Sequence, residues 1–251
     1  MKIIISPAKK MNVDPDTFAA DRMPEFVEDA KILMDAVRSL DYGQAKALWK
    51  CNDKLARLNY ERFKVMDLNR ALTPAVMAYE GLQYLHMAPA VFTKEALSYI
   101  EERLRILSGF YGVLRPFDKV VPYRLEMQAK LSVGESRDLY EFWGSRLYES
   151  LTADDGFILN LASKEYSQCI EKYVAPDVVF LTVIFGQWKN GSVWQKGTMA
   201  KMARGEMVRF LAENRIDDPE SIKEFKELGF HYEDALSDQS KYVFITAEAC
   251  F

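Results

Sequence analysis

The sequence predicts an α+β fold: a single compact domain over residues 1–251, with helices surrounding a mixed sheet and no match to a common superfold. Three observations predict it. Short β-prone runs and amphipathic helical runs are both present, but they lack the regular strand–helix–strand alternation of a doubly wound protein. No repeat, low-complexity tract or Gly/Ser linker divides the chain. Apolar residues make up 49% and charged residues 28%, the ordinary balance of a globular protein large enough to bury a sizeable core.

The elements follow in order. Lys2–Ile5 is a β-branched apolar run, read as a buried strand that stops at Ser6-Pro7. Phe26, Val27, Ala30, Leu33, Met34 and Val37 recur at spacings of three and four. They predict a helix over 24–40, with Pro24 suited to its first turn. Two shorter helices are read at Tyr42–Trp49 and 53–66. A helix over 93–104 has Thr93 as its N-cap, and one over 138–151 has Asp138. Leu139, Phe142, Trp143, Leu147 and Leu151 form the apolar stripe of the latter. Residues 156–161 read as a strand, followed by a helix from Ser163 to about residue 170. Residues 177–185 are strongly β-prone and predict a central strand. Asn190-Gly191 predicts a hairpin over 188–194. Gly197–Asn214 is the best helical pattern of the second half, and 230–233 with 242–246 predict a closing antiparallel pair.

Composition excludes several classes. No apolar run approaches the ~18 residues of a membrane span, and the three isoleucines before Ser6-Pro7 are too short for a secretory leader, so a cytoplasmic protein is expected. Cys51, Cys169 and Cys250 are odd in number and far apart, which argues against a disulfide framework and for buried thiols. His86 and His231 are isolated, and no transition-metal spacing occurs, so neither metal nor cofactor is expected. A net charge of -4 argues against a wholly basic surface. Its distribution is more telling. Residues 103–131 carry six Lys or Arg against Asp118 and Glu126, and residues 196–215 carry five against Glu206 and Glu213. Residues 217–240 reverse the balance, with eight acids against Lys223 and Lys226.

The most informative stretch is LSGFYGVLRPFD at 107–118, continuing to PYRLEM at 122–127. It mixes glycine, proline, aromatic and arginine residues without a period of 2 or 3.6, as an irregular buried loop does. Such a loop would hold Arg115, Tyr123, Arg124 and Glu126 at fixed positions. Arginine forks match phosphate or carboxylate. Tyr111 and Tyr123 could stack bases, and Glu126 could act as a general base. A structural alternative is an Arg–Glu pair that locks the loop.

Other segments offer cations at element ends. Lys9 and Lys10 follow the end of the first strand, where ligand crevices form in open sheets. Ser163 opens a helix whose free N–H groups suit an anion. Lys201, Arg204 and Arg209 share an arc of about 140° on the helix Gly197–Asn214. Gly205, in its middle, admits a close neighbour, either a packed helix or a nucleic-acid backbone.

These blocks resemble the YaaA family of bacterial proteins, associated with peroxide stress. The resemblance rests on 107–127, on IIISPAK at 3–9, on DLYEFWG at 138–144, on NLASKEY at 160–166, and on Ala203-Arg204-Gly205 with Arg209-Phe210 and Glu213-Asn214-Arg215. The blocks occur in family order along the whole chain. The resemblance implies a stress-response protein that binds DNA. It also implies a helix–hairpin–helix at 42–66, but here the candidate hairpin, Cys51-Asn52-Asp53, lacks glycine. Met202 stands where the family tends to carry a second basic residue.

The leading expectation is therefore a DNA-binding protein with little sequence readout. Its basic cleft is assigned Lys9, Lys10, Tyr111, Arg115, Tyr123, Arg124, Ser163, Lys201 and Arg204. The alternatives are an enzyme acting on a nucleotide or nucleobase in the same cleft, with Glu126 as its base, and an adaptor that uses the acidic residues 217–240.

Overall fold

A computed structural model of the chain describes residues 1–20, 22–70, 73–153 and 155–247. Its main sheet is mixed but mostly parallel. The strands are β1 (Lys2–Ile5), β2 (Leu104–Ser108), β3 (Gly112–Leu114), β4 (Phe157–Asn160), β5 (Val179–Lys189), β6 (Ser192–Trp194), β7 (His231–Tyr232) and β8 (Lys241–Ile245). The order across the sheet is β7-β8-β5-β4-β1-β2-β3, with β6 folded back on β5. Strands β8, β5, β4, β1 and β2 run parallel, and only the hairpins β2/β3 and β5/β6 and the edge strand β7 are antiparallel.

The isoleucines of β1 sit at the centre of this sheet with 0% exposure, flanked on both sides and covered on both faces. That is why Ile3–Ile5 read as a continuous apolar run rather than an alternating one. The helices α1 (Val27–Arg38), α2 (Tyr42–Trp49), α3 (Asp53–Val65), α4 (Leu82–Met87), α5 (Lys94–Arg103), α6 (Leu139–Trp143), α7 (Arg146–Thr152), α8 (Lys164–Glu171) and α9 (Gly197–Asn214) surround it. One cluster of buried apolar residues runs from Ile3 to Phe244.

Most expected elements form, with local differences. The helix expected over 24–40 starts at Val27; Pro24 instead closes a turn, its carbonyl accepting from the Val27 N–H at 3.2 Å. The helix expected over 138–151 is broken in two. Gly144 takes φ +54° and ψ -138°, outside the helical region, and its N–H caps α6 at the Tyr140 carbonyl. The apolar stripe survives the break, with Leu139, Trp143, Leu147 and Leu151 buried. Thr93 and Asp138 cap as expected, through the N–H groups of Ala96 and Glu141. The closing pair forms with His231 opposite Ile245 and Tyr232 opposite Phe244.

Helices α2 and α3 pack as a core pair. Trp49 stacks on Phe63, ring centroids 5.9 Å apart, and both are 1% exposed. Asp53 accepts from Tyr42, Lys46 and Arg57, so two of the cations near this turn are already engaged by a carboxylate. Cys169 is buried, its thiol donating to the Tyr166 carbonyl and pushed up to about 12 by desolvation, while Cys51 is half-buried. Cys250 lies outside the described residues. Among those residues no helix is long and apolar enough to cross a membrane.

Candidate functional site

The chain leaves β1 toward β2 on one side of the sheet, whereas β4 leads through β5 to β8 on the other. The carboxyl ends of β1 and β4 are therefore a topological switch point, where open parallel sheets form ligand crevices. A cavity of about 360 Å³ lies there. Its walls come from the loop Ser6–Lys10 after β1, the segment Tyr123–Glu126, Glu80–Tyr84, the start of α8, and Lys201 and Arg204 of α9.

Close backbone approaches fix these walls. Ser6 ties the two strand ends together: its hydroxyl accepts from the Ser163 N–H at 2.8 Å and pairs with the Ser163 hydroxyl at 3.2 Å. Ser163 thus occupies the N-cap position of α8, but its side chain makes no cap bond and is turned to Ser6. The Tyr84 hydroxyl donates to the Ser6 carbonyl at 2.9 Å. Gly109, between β2 and β3, admits the returning segment: a β-carbon there would lie 2.6 Å from the Leu125 carbonyl oxygen and 2.9 Å from Met127 N. Gly205 does the same for α9 and α4, where a β-carbon would meet His86 Cβ and Met87 N at 2.9 Å and the Gln83 carbonyl closer still. The neighbour that Gly205 admits is thus a helix.

Eight expected residues converge on the cavity: Lys9, Lys10, Tyr123, Arg124, Glu126, Ser163, Lys201 and Arg204. Arg124 and Glu126 are buried and paired at 2.7 Å, and Lys9 reaches the same Glu126 oxygen at 3.3 Å from the exposed side. Lys10 pairs with Glu80. Two expected residues are placed elsewhere. Arg115 does not line the cavity; its N–H is held at 2.8 Å by Asp118 in the turn that follows β3. Tyr111 is 1% exposed, its hydroxyl accepts from the Val121 N–H, and its ring packs edge-on against Phe110 and Tyr123. A ring so enclosed cannot stack a base. Tyr123 borders the cavity, yet its hydroxyl is bonded to Tyr79 and Ser108, and burial pushes its pKa up to about 12.

Sequence reasoning missed Gln83, Tyr84, Glu165 and Tyr166. They lie on short or half-buried helix starts, and the contact between α4 and α9 that brings Gln83 to the site joins segments about 120 positions apart, as the His86–Glu206 bond marks. Glu165 accepts weakly from the Gln128 N–H at 3.5 Å, and burial raises its pKa against the pull of that bond and of Lys9 and Lys201.

Arg204 stands apart electrostatically. Its Nε is shut away from solvent without a hydrogen-bond partner, and no carboxylate lies within ion-pair reach of its guanidinium among the described residues. Desolvation brings its pKa down to about 10. A guanidinium held in a cavity wall without a counter-charge is costly to bury, and its planar fork matches the geometry of phosphate or carboxylate.

A family model described as "Peroxide stress protein YaaA" matches residues 1–236. A UPF0246 protein of Desulfitobacterium hafniense is 53% identical over 249 residues, covering 99% of each chain. UPF0246 proteins of Lachnoclostridium phytofermentans and Lactiplantibacillus plantarum are 51% and 50% identical over 249 and 245 residues, covering 99% and 98% of this chain and 98% and 99% of theirs. With the family's model spanning nearly the whole sequence and its relatives matching end to end, the chain belongs to the YaaA family of peroxide stress proteins.

Proposed function

We propose that this is a cytoplasmic DNA-binding protein of the peroxide-stress response that grips the nucleic-acid backbone at this cavity. Its volume lies at the lower end of small-ligand sites, so it takes one nucleotide unit and not a duplex. Lys9, Lys10 and Lys201 at its exposed rim meet the flanking phosphates. The observation that carries this reading is the desolvated, unpaired guanidinium of Arg204. Contacts made by cations to phosphate position a strand without reading its bases.

A second reading is favoured by one observation: beside Glu80, which is paired with Lys10, two further carboxylates, Glu126 and Glu165, line the same cavity, and the Glu165 pKa is raised by burial. That pair could perform acid–base chemistry on a bound nucleotide or nucleobase.

Fluorescence anisotropy with duplex and branched DNA at about 50 and about 200 mM salt separates the two. A strand held at about four phosphates loses roughly 100-fold in affinity across that range. No DNA binding at the lower salt, together with thermal stabilisation by mononucleotides, overturns the DNA reading in favour of the enzyme.

A further inference from the structure

The hairpin β5/β6 is not used by the cavity. It is nevertheless placed beside it. Strand β5 is level with β4 at Thr182, opposite Asn160, and continues to Lys189, seven residues beyond the β4 end. Strand β8 stays paired with β5 as far as Gly186, so the free arm is residues 187–189 and projects about 10 Å beyond the sheet at about 3.3 Å per residue. The chain then turns at Asn190-Gly191, both with positive φ, returns along β6, and enters α9 at Gly197. Lys201 of the cavity rim lies about 6 Å further along that helix at 1.5 Å per residue.

The arm carries two exposed indoles, Trp188 at 50% and Trp194 at 47%. Trp188 faces Val193 across the ladder and Trp194 faces Gln187. Adjacent ladder positions point to opposite faces, so each side of the arm presents one indole. Lys189 Nζ lies 4.4 Å from the centre of the Trp194 ring. Charge is equally one-sided. Residues 178–205 contain no Asp or Glu, and their cations are Lys189, Lys196, Lys201 and Arg204. Gly186 fixes the fold-back, since a β-carbon there would meet the Val193 side chain at 2.6 Å and the Trp194 carbonyl oxygen at 2.9 Å.

We infer that this arm is a stacking platform for unpaired nucleobases, on a strand whose backbone runs along Lys189 and Lys196 to Lys201 and the cavity. The inference rests on the DNA-binding reading and deepens it to single-stranded or branched nucleic acid. An exposed indole offers a π-face that any base can stack on, and an acid-free lysine row tracks the phosphates beside it. An acidic or purely apolar partner would leave one of these two features unused.

The test compares wild type with Trp188→Ala, Trp194→Ala and the more conservative Trp188→Phe, on an oligothymidylate and on a blunt duplex, with folding checked by circular dichroism. Each alanine is expected to weaken oligothymidylate binding about 5- to 150-fold, the equivalent of roughly 1–3 kcal/mol of lost stacking, with duplex affinity within about twofold of wild type. Trp188→Phe is expected to retain most of the affinity, and tryptophan fluorescence of wild type to be quenched on binding. Unchanged oligothymidylate affinity in folded alanine variants overturns the inference while leaving DNA binding intact. Failure of wild type to bind any DNA overturns both. Loss of a dimer in sedimentation with unchanged DNA affinity identifies the arm as a contact between copies of the chain, and also overturns it.

Discussion

Gly205→Ala tests how α9 is held over the cavity. On a solvated helix face, glycine to alanine raises stability by roughly 1 kcal/mol. Gly205 does not face solvent: an added β-carbon lies 2.9 Å from His86 Cβ and Met87 N, and the Gln83 carbonyl oxygen is closer. Two of these three atoms are backbone, so no side-chain rotation relieves the overlap. Helices α4 and α9 must part by at least the 0.5 Å between 2.9 Å and the 3.4 Å of ordinary contact. Overpacking of this kind costs about 3 kcal/mol at the upper end of its usual range. Offset by the helix-propensity gain of roughly 1 kcal/mol, the net loss is about 2 kcal/mol. For a chain of this size that lowers the Tm by about 4–8 °C, read by calorimetry or circular dichroism. Because α4 carries Gln83 and Tyr84 into the cavity wall, the proposed DNA-binding function predicts a loss of DNA affinity as well. Gly197→Ala is the control, since a β-carbon there meets nothing within 4 Å. A Gly205→Ala protein as stable as the control refutes the packing argument.

Two further predictions concern buried charge. Asp118 is 2% exposed, and burial raises its pKa from 3.8 to about 6 against the opposing pull of the Arg115 N–H and of the Arg115 and Arg22 charges. A raised folded pKa favours the protonated folded form, so the contribution is fully present below about pH 4 and lost as pH rises through about 6. The gap is equivalent to roughly 3 kcal/mol, and Asp118→Asn should flatten the wild-type stability difference between those pH values in denaturant melts. Arg124→Ala leaves Glu126 buried with only Lys9 at 3.3 Å, and should cost about 3–5 kcal/mol by denaturant midpoint. Replacing Arg124 and Glu126 together by methionine and leucine should recover most of that loss.

The fold class was legible because its signals are local. The isoleucines of β1, the Thr93 and Asp138 caps and the Asn190-Gly191 turn each announce themselves within a few residues. The parallel order of the sheet was not, because the partners of β1 lie about 100 and 155 positions away. The break at Gly144 was hidden by an apolar stripe that continues in register across it. At the site, strand ends pointed to Lys9 and Ser163, and the irregular loop to Arg124 and Glu126. Arg115 looked equivalent to Arg124 in sequence, but the Asp118 turn holds it elsewhere. Gln83 and Glu165 carried no local signal, since only the contact of α4 with α9 and the burial of α8 give them a place in the wall.

The most direct test of Arg204 as a phosphate receptor is the slope of log affinity against log salt for wild type and Arg204→Met on the same branched DNA. Loss of one phosphate contact should reduce the slope by about 0.9 and weaken binding most at low salt. Parallel lines of equal affinity would mean that no phosphate meets Arg204, and would contradict the proposal that the cavity holds nucleic acid.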